Sequence, residues 1–387
     1  MQQLLPRVGL IETVLALLGE SPIVTLLGAR QVGKTTLARM IAGRRGGAEF
    51  FDLEDPSARR ALETTPELTL RDCRGLLVID EVQRMPELFG LLRHLCDDPD
   101  RKASFLLLGS ASPALVRGVS ETLAGRSLFL PVSGFTLQEV GTDRIDRLWL
   151  RGGFPRAFLA STPGAASRWL QAFRRTLVER DLPGLGLRIA PAALDRFWNL
   201  LAHYHGQVWN ASEVGRALGS SPGTADRYRD LLAGTFMIRI LRPWHENLGK
   251  RQVKSPKVYL RDTGLLHNLL GVEDMLSLRA HPRYGASWEG FALEQVLSRF
   301  GEEDAYFWST QRGAELDLLL IRRGRRYGFE FKCADAPGTT KSMRIALSDL
   351  DLERLWVLYP GRRSYTLDER IEALPLSKLD RVAEQVV

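Results

Sequence analysis

Three short apolar, β-rich runs, Ile23–Leu27, Leu76–Ile79 and Phe105–Leu108, stand between polar and turn-forming residues in the first third of the chain. Runs of this kind, without polar alternation, fit strands buried on both faces, as in a parallel sheet covered by helices. Behind the first run, Leu37-Ala38-Arg39-Met40-Ile41 changes to helical spacing, so the order reads strand, loop, helix. From 146 to 205 the period is helical throughout. Trp169, Leu170, Phe173 and Leu177, then Leu194, Phe197, Trp198 and Leu201, recur at intervals that predict buried helix faces rather than a ligand pocket. Two short helical patterns follow, Ser212–Leu218 and Thr224–Leu232, then strand patterns at Phe236–Leu241 and Val258–Leu260. Farther on, Trp288 through Leu297 reads as a helix, Tyr306–Trp308 as a strand, and Glu315–Ile321 with Tyr327–Lys332 as a hairpin turning at Arg322–Arg326. The pattern predicts an α/β protein in four parts, over residues 1–145, 146–205, 206–262 and 263–387.

Composition agrees with that division. A chain of 387 residues is too long for one ordinary core. With 44% hydrophobic and 26% charged residues and no low-complexity tract, every segment is expected to fold. No apolar run reaches the ~18–20 residues that span a bilayer, and Met1–Gly19 lacks the order of a secretory leader. A cytoplasmic location without membrane contact is expected. Cys73, Cys96 and Cys333 stand singly, which fits reduced thiols and neither a disulfide framework nor a zinc site. The net charge of +7 suits a nucleic-acid partner, although a solvated basic face accounts for it equally well.

The strongest chemical signal follows the first strand. Gly28-Ala29-Arg30-Gln31-Val32-Gly33-Lys34-Thr35-Thr36 is a glycine loop entering a helix, the arrangement that cradles the phosphates of ATP. Its backbone N–H groups curl around phosphate, Lys34 reaches the β and γ oxygens, and Thr35 offers a hydroxyl to Mg²⁺. The second run ends in Asp80-Glu81, as a Walker B strand does, with Asp80 the metal residue and Glu81 the general base for water. The third ends at Ser110, a short polar side chain suited to sensing the γ-phosphate. Arg126, before the run Ser127–Leu130, is the arginine-finger candidate toward a neighbouring subunit. A plain surface ion pair explains one arginine just as simply.

With Phe51-Asp52-Leu53-Glu54-Asp55, Asp80-Glu81-Val82-Gln83, Gly109-Ser110, Leu123-Ala124-Gly125-Arg126 and Gly152-Gly153-Phe154-Pro155, these residues resemble the AAA-type ATPases of bacteria and archaea whose C-terminal half is a domain of unknown function. The resemblance spans nearly the whole chain. It implies a P-loop, parallel-sheet AAA-type ATPase domain over 1–145 and a helical lid over 146–205; ATP and Mg²⁺ are the cofactors the P-loop residues themselves predict, and Arg126 acting as a finger predicts a homo-oligomer. It also implies that Gly153 and Pro155 mark the lid's contact with nucleotide.

Residues 206–262 read as a winged helix. Ser212 is the expected cap of its first helix, and Ser221-Pro222 opens the second. Burying Ala225, Tyr228, Leu231 and Leu232 leaves Thr224 and Arg227 outward for DNA. The following loop and strands carry Arg239, Arg242, Lys250, Arg251, Lys254, Lys257 and Arg261, opposed within them only by Glu246, and such a cluster follows a phosphate backbone. Asp226 and Asp230 argue the other way, for a wing that only packs or binds protein.

In the last part, Glu289 lies on a predicted helix, Asp317 on one strand of the hairpin, and Glu330 and Lys332 on the other. The four resemble the constellation of PD-(D/E)xK nucleases, which implies a restriction-endonuclease-like α/β domain over 263–387. In that superfamily the acids hold Mg²⁺ and the lysine positions water against a phosphodiester. Many of its members keep the fold and lose cleavage. The sequence thus reads as an ATPase acting on DNA. The alternatives are an ATP-dependent switch that binds a protein partner, and an ATP-regulated, structure-specific nuclease.

Overall fold

The computed structural model describes residues 5–110, 123–184, 190–246 and 252–386. They form two compact units, residues 1–134 with 234–236, and residues 135–233 with 237–387. The division falls before residue 135 rather than at 145, and the three later segments join in one unit.

In the first unit, five parallel strands, β1 (Ile23–Gly28), β2 (Glu49–Asp52), β3 (Gly75–Asp80), β4 (Ala103–Ser110) and β5 (Ser127–Pro131), stand in the order β2-β3-β4-β1-β5. β1 and most of β3 and β4 are buried, as the apolar runs require of strands covered on both faces. The helices Lys34–Arg44 and Leu88–Asp97 bury Leu37, Ala38 and Ile41, and Leu88, Phe89, Leu92 and Leu95. Phe236, from the short returning piece of this unit, packs against the cluster of Leu53, Leu77, Ile79 and Leu107. Because β1 lies between β4 and β5, the C-terminal ends of β1, β3 and β4 share one edge, with Gly28 beside Ser110. Ligands of open α/β sheets bind at such an edge.

In the second unit, the helices Pro163–Thr176 and Pro191–Tyr204 bury Leu170 and Phe173, and Leu194, Phe197, Trp198 and Leu201. The helix Ala211–Leu218 is capped by Asn210, which accepts from the backbone N–H of Glu213 at 3.2 Å, and not by Ser212. The helix Pro222–Gly234 buries the expected Ala225, Tyr228, Leu231 and Leu232. β6 (Gln207–Val208), β7 (Ile238–Pro243) and β8 (Lys257–Leu260) are antiparallel neighbours. β7 also pairs with β9 (Ala305–Ser309) in parallel, which fuses these strands to the C-terminal sheet and explains why the segments do not separate. With β10 (Glu315–Arg322), β11 (Arg325–Phe331), β12 (Arg354–Tyr359), β13 (Tyr365–Asp368) and β14 (Ile371–Pro375), the sheet has nine strands in the order β13-β14-β12-β11-β10-β9-β7-β8-β6. β10 and β11 form the expected antiparallel hairpin, with Leu318 opposite Phe329.

Candidate functional sites

At the C-terminal edge of the first sheet, the loop from Gly28 turns into the helix Lys34–Arg44 through Gly33, whose φ of 96° suits a residue without Cβ. A Cβ on Gly28 would stand 2.0 Å from the carbonyl oxygen of Val132, so the loop's first glycine is required by close backbone approach. Buried Arg7 donates to the carbonyls of Ser133 and Gly134 at 3.1 and 3.2 Å and, at 3.4 Å, to that of Val32 inside the loop. Nothing in the spacing around Arg7 marks it, because its partners lie far along the chain.

Lys34 is buried, and its ammonium donates to the carbonyls of Gly28 and Ala29 at 2.9 and 3.0 Å. Burial lowers its pKa to about 8 against the opposing pull of Glu81 and Asp80. Thr35 Oγ1 donates to Asp80 Oδ2 at 2.5 Å, bringing the two expected metal-binding groups together. Burial also raises the pKa of Asp80, partly offset by the Thr35 hydrogen bond. Glu81 sits at φ 55°, a left-handed conformation that a side-chain-bearing residue rarely adopts. Its Oε2 accepts from Ser110 Oγ at 2.7 Å and from Gln83 Nε2, which also meets Ser110 Oγ at 2.9 Å. Lys34, Thr35, Asp80, Glu81 and Ser110 therefore converge as expected, and Gln83 joins them. Glu54 pairs with Arg30 at 2.7 Å and Arg84 at 2.8 Å beside the loop.

Arg126 immediately precedes β5, whose first residue pairs with Ile23, at the opposite end of the sheet from the P-loop of its own chain. Its guanidinium forms a two-pronged pair with Asp97, at 2.6 and 2.9 Å, the plain alternative to a finger. Pro155 opens the helix Pro155–Phe158 of the second unit.

The second constellation forms where the helix Tyr284–Phe300, β8, β10 and β11 meet. Glu289, Asp317, Glu330 and Lys332 come together there. Lys332 Nζ lies 2.7 Å from Glu330 and 3.8 Å from Asp317, whose Oδ2 accepts from the N–H of Phe331 at 2.9 Å. Burial and the neighbouring Asp317 push Glu330 up to about 8, although Lys332 opposes them. Tyr259 Oη donates to Glu289 at 2.6 Å, and burial raises the pKa of Glu289 against the pull of Lys257. Lys257, expected in the basic wing, joins them instead: its Nζ is 3.2 Å from Glu289 and 3.8 Å from Asp317, and it also pairs with Glu315.

Three of the seven basic residues assigned to a phosphate-binding wing are thereby corrected. Lys257 is buried in this acidic cluster, and Arg239 and Arg261 are ion-paired with Glu294 and Glu302. Lys250 and Arg251 lie outside the described residues. Arg227, Arg242 and Lys254 are exposed, and Thr224 is half-buried beside Ser221 Oγ at 3.0 Å. Asp226 and Asp230 are both paired with Arg229, at 2.9 and 2.7 Å.

Residues 20–141 match the family described as AAA domain, while 142–276 and 284–379 match two domains of unknown function, DUF8612 and DUF4143. Uncharacterized proteins of Mycobacterium tuberculosis and Mycobacterium bovis are each 47% identical over 362 residues, covering 94% of this chain and 82% of their own. Among solved structures, the Walker-type ATPase of Pyrococcus abyssi is 16% identical with a TM-score of 0.49, over 69% of this chain and 96% of that one. No helix among the described residues is long and apolar enough to cross a membrane.

Proposed function

Since this chain belongs to the family of the two mycobacterial proteins and carries an AAA domain, we propose that it is a Mg²⁺-dependent ATPase that acts on DNA through its second unit. The observation that carries the ATPase reading is the convergence of Lys34, the Thr35–Asp80 pair and the Glu81–Ser110 pair on one sheet edge. The hard oxygens of Thr35 and Asp80 fit Mg²⁺, which when bound supplies charge neutralisation on the β and γ phosphate oxygens. The loop N–H groups and Lys34 orient the triphosphate. Glu81 takes the role of general base, and Ser110 and Gln83 hold its carboxylate. Arg126 serves a neighbouring subunit after leaving Asp97, which makes the active form a homo-oligomer.

The DNA reading rests on the helix-turn-helix with its antiparallel strands, a winged-helix arrangement whose second helix exposes Arg227, and on exposed Lys254 beyond it. The order helix, three strands, helix, strand, with Glu289, Asp317, Glu330 and Lys332 at one place, supports a restriction-endonuclease-like fold for the C-terminal part. A protein partner is the second reading, favoured by the engagement of Arg239, Lys257 and Arg261 inside the unit. ATP turnover measured with and without duplex, forked and single-stranded DNA tests the proposal. DNA-stimulated turnover supports it, turnover indifferent to DNA favours the protein partner, and no turnover with any of them overturns the ATPase reading.

A further inference from the structure

The acids of the C-terminal constellation already have a cation. Lys257 is only 4% exposed, and its ammonium reaches carboxylates from two elements: Glu289 on the helix Tyr284–Phe300 at 3.2 Å, and Glu315 and Asp317 on β10, the latter at 3.8 Å. A divalent ion held by this set would need several oxygens within ~2.0–2.6 Å of one point. The ammonium stands among the oxygens of Glu289, Glu315 and Asp317 while Lys332 takes Glu330, and with them in place no three His, Cys, Asp or Glu side chains among the described residues are grouped to hold a metal. Each acid has a further partner as well: Tyr259 on Glu289, Lys332 on Glu330, and the N–H of Phe331 on Asp317. The residues thus do not fit a bound metal.

We propose that Lys257 is the resident cation of this cluster: it takes the place of Mg²⁺, ties β8 to β10 and to the helix carrying Glu289, and leaves the nuclease-like site unable to load metal or cleave a phosphodiester. This goes beyond the ATPase reading and is independent of it. Its cause is general: a buried group of acids needs compensating charge, and a lysine supplies it as a metal ion does, without the open coordination positions that activate water.

The test is a Mn²⁺ titration of the full chain without nucleotide, followed by electron paramagnetic resonance, in an Asp80→Asn background that removes the carboxylate expected to hold metal at the P-loop. With Lys257 present, no saturable site that depends on Asp317 is expected. Lys257→Ala should gain about one Mn²⁺ per chain, and adding Asp317→Asn should remove it. Saturable binding in the Lys257-containing chain that Asp317→Asn abolishes would overturn the proposal, and so would a folded Lys257→Ala protein that gains no ion. Lys257→Met keeps the length of the stem if the alanine variant does not fold. Its melting temperature should rise with Mn²⁺, while that of the Lys257 chain stays unchanged, and the opposite pattern counts against the inference.

Discussion

Lys34 concentrates the chemistry of the nucleotide site in one buried ammonium whose pKa sits near 8. Bound phosphate favours its charged form, so ATP binding takes up a proton wherever the free protein has lost it. The dissociation constant should be flat from pH 7 to near 8 and then rise by up to about tenfold per pH unit. Calorimetric ATP titrations between pH 7 and 9.5 check this, and a flat profile up to 9.5 contradicts it. Lys34→Ala should abolish binding or turnover, whereas Glu81→Gln should keep binding and slow hydrolysis by on the order of 10²-fold or more. Full activity in Glu81→Gln would remove Glu81 from catalysis. These residues were legible because a glycine loop and a strand-end acid pair are local patterns. Gln83 stands out in the sequence only through the resemblance, since its role depends on β3 and β4 being neighbours. Lys257, Arg239 and Arg261 were misread for the same reason: their acids lie about 30–60 positions away in sequence, where no pattern announces them.

Elements that pack closely make two histidines into acid sensors of stability. His267, on the helix Thr263–Leu270, meets Ser287 Oγ at 2.7 Å and the carbonyl of Leu150 at 2.9 Å, while His205 Nδ1 accepts from the N–H of Leu260 at 3.0 Å. Burial lowers their pKa values to about 4 and about 3, against an ordinary value of 6.5. Their contribution is therefore present above pH 6.5 and is lost as pH falls toward the folded values. The slope is about 1.4 kcal/mol per pH unit for each histidine. Denaturant unfolding followed from pH 7 to 4.5 should show that steepening, and His267→Gln should remove about half of it. Arg126, at the entry to β5, calls for a different measurement. Arg126→Ala should lower turnover without weakening ATP binding, and mixing it with Lys34→Ala chains should restore activity if the finger acts between subunits. No recovery at any ratio leaves Arg126 as the partner of Asp97 alone. At this scale the helices and strands were readable from period, but the Asn210 cap and the β7–β9 pairing were not, since one depends on local backbone geometry and the other on a contact across the chain.

For the whole molecule, the surviving candidates for DNA contact are the exposed Arg227, Arg242 and Lys254, with Lys250 and Arg251 outside the described residues. If they touch phosphate, replacing Arg227 and Lys254 by alanine should weaken binding alike for all sequences, and each should lower the slope of log K against log salt by about 0.9. Unchanged affinity across a salt titration would turn the reading toward a protein partner. The sequence conveyed four segments where the fold has two units, because it could not disclose that β7 pairs on both sides. One detail of that division bears on synthesis. The ATPase unit takes in Gly234–Phe236, which a ribosome adds 100 residues after Gly134, roughly 5–20 s later at ordinary elongation rates. During that interval the apolar cluster of the nascent nucleotide-binding unit lacks the partly buried Phe236 that packs against it, and apolar surface left uncovered in this way is what chaperones bind. A recombinant fragment ending at Gly134 would carry the same gap permanently.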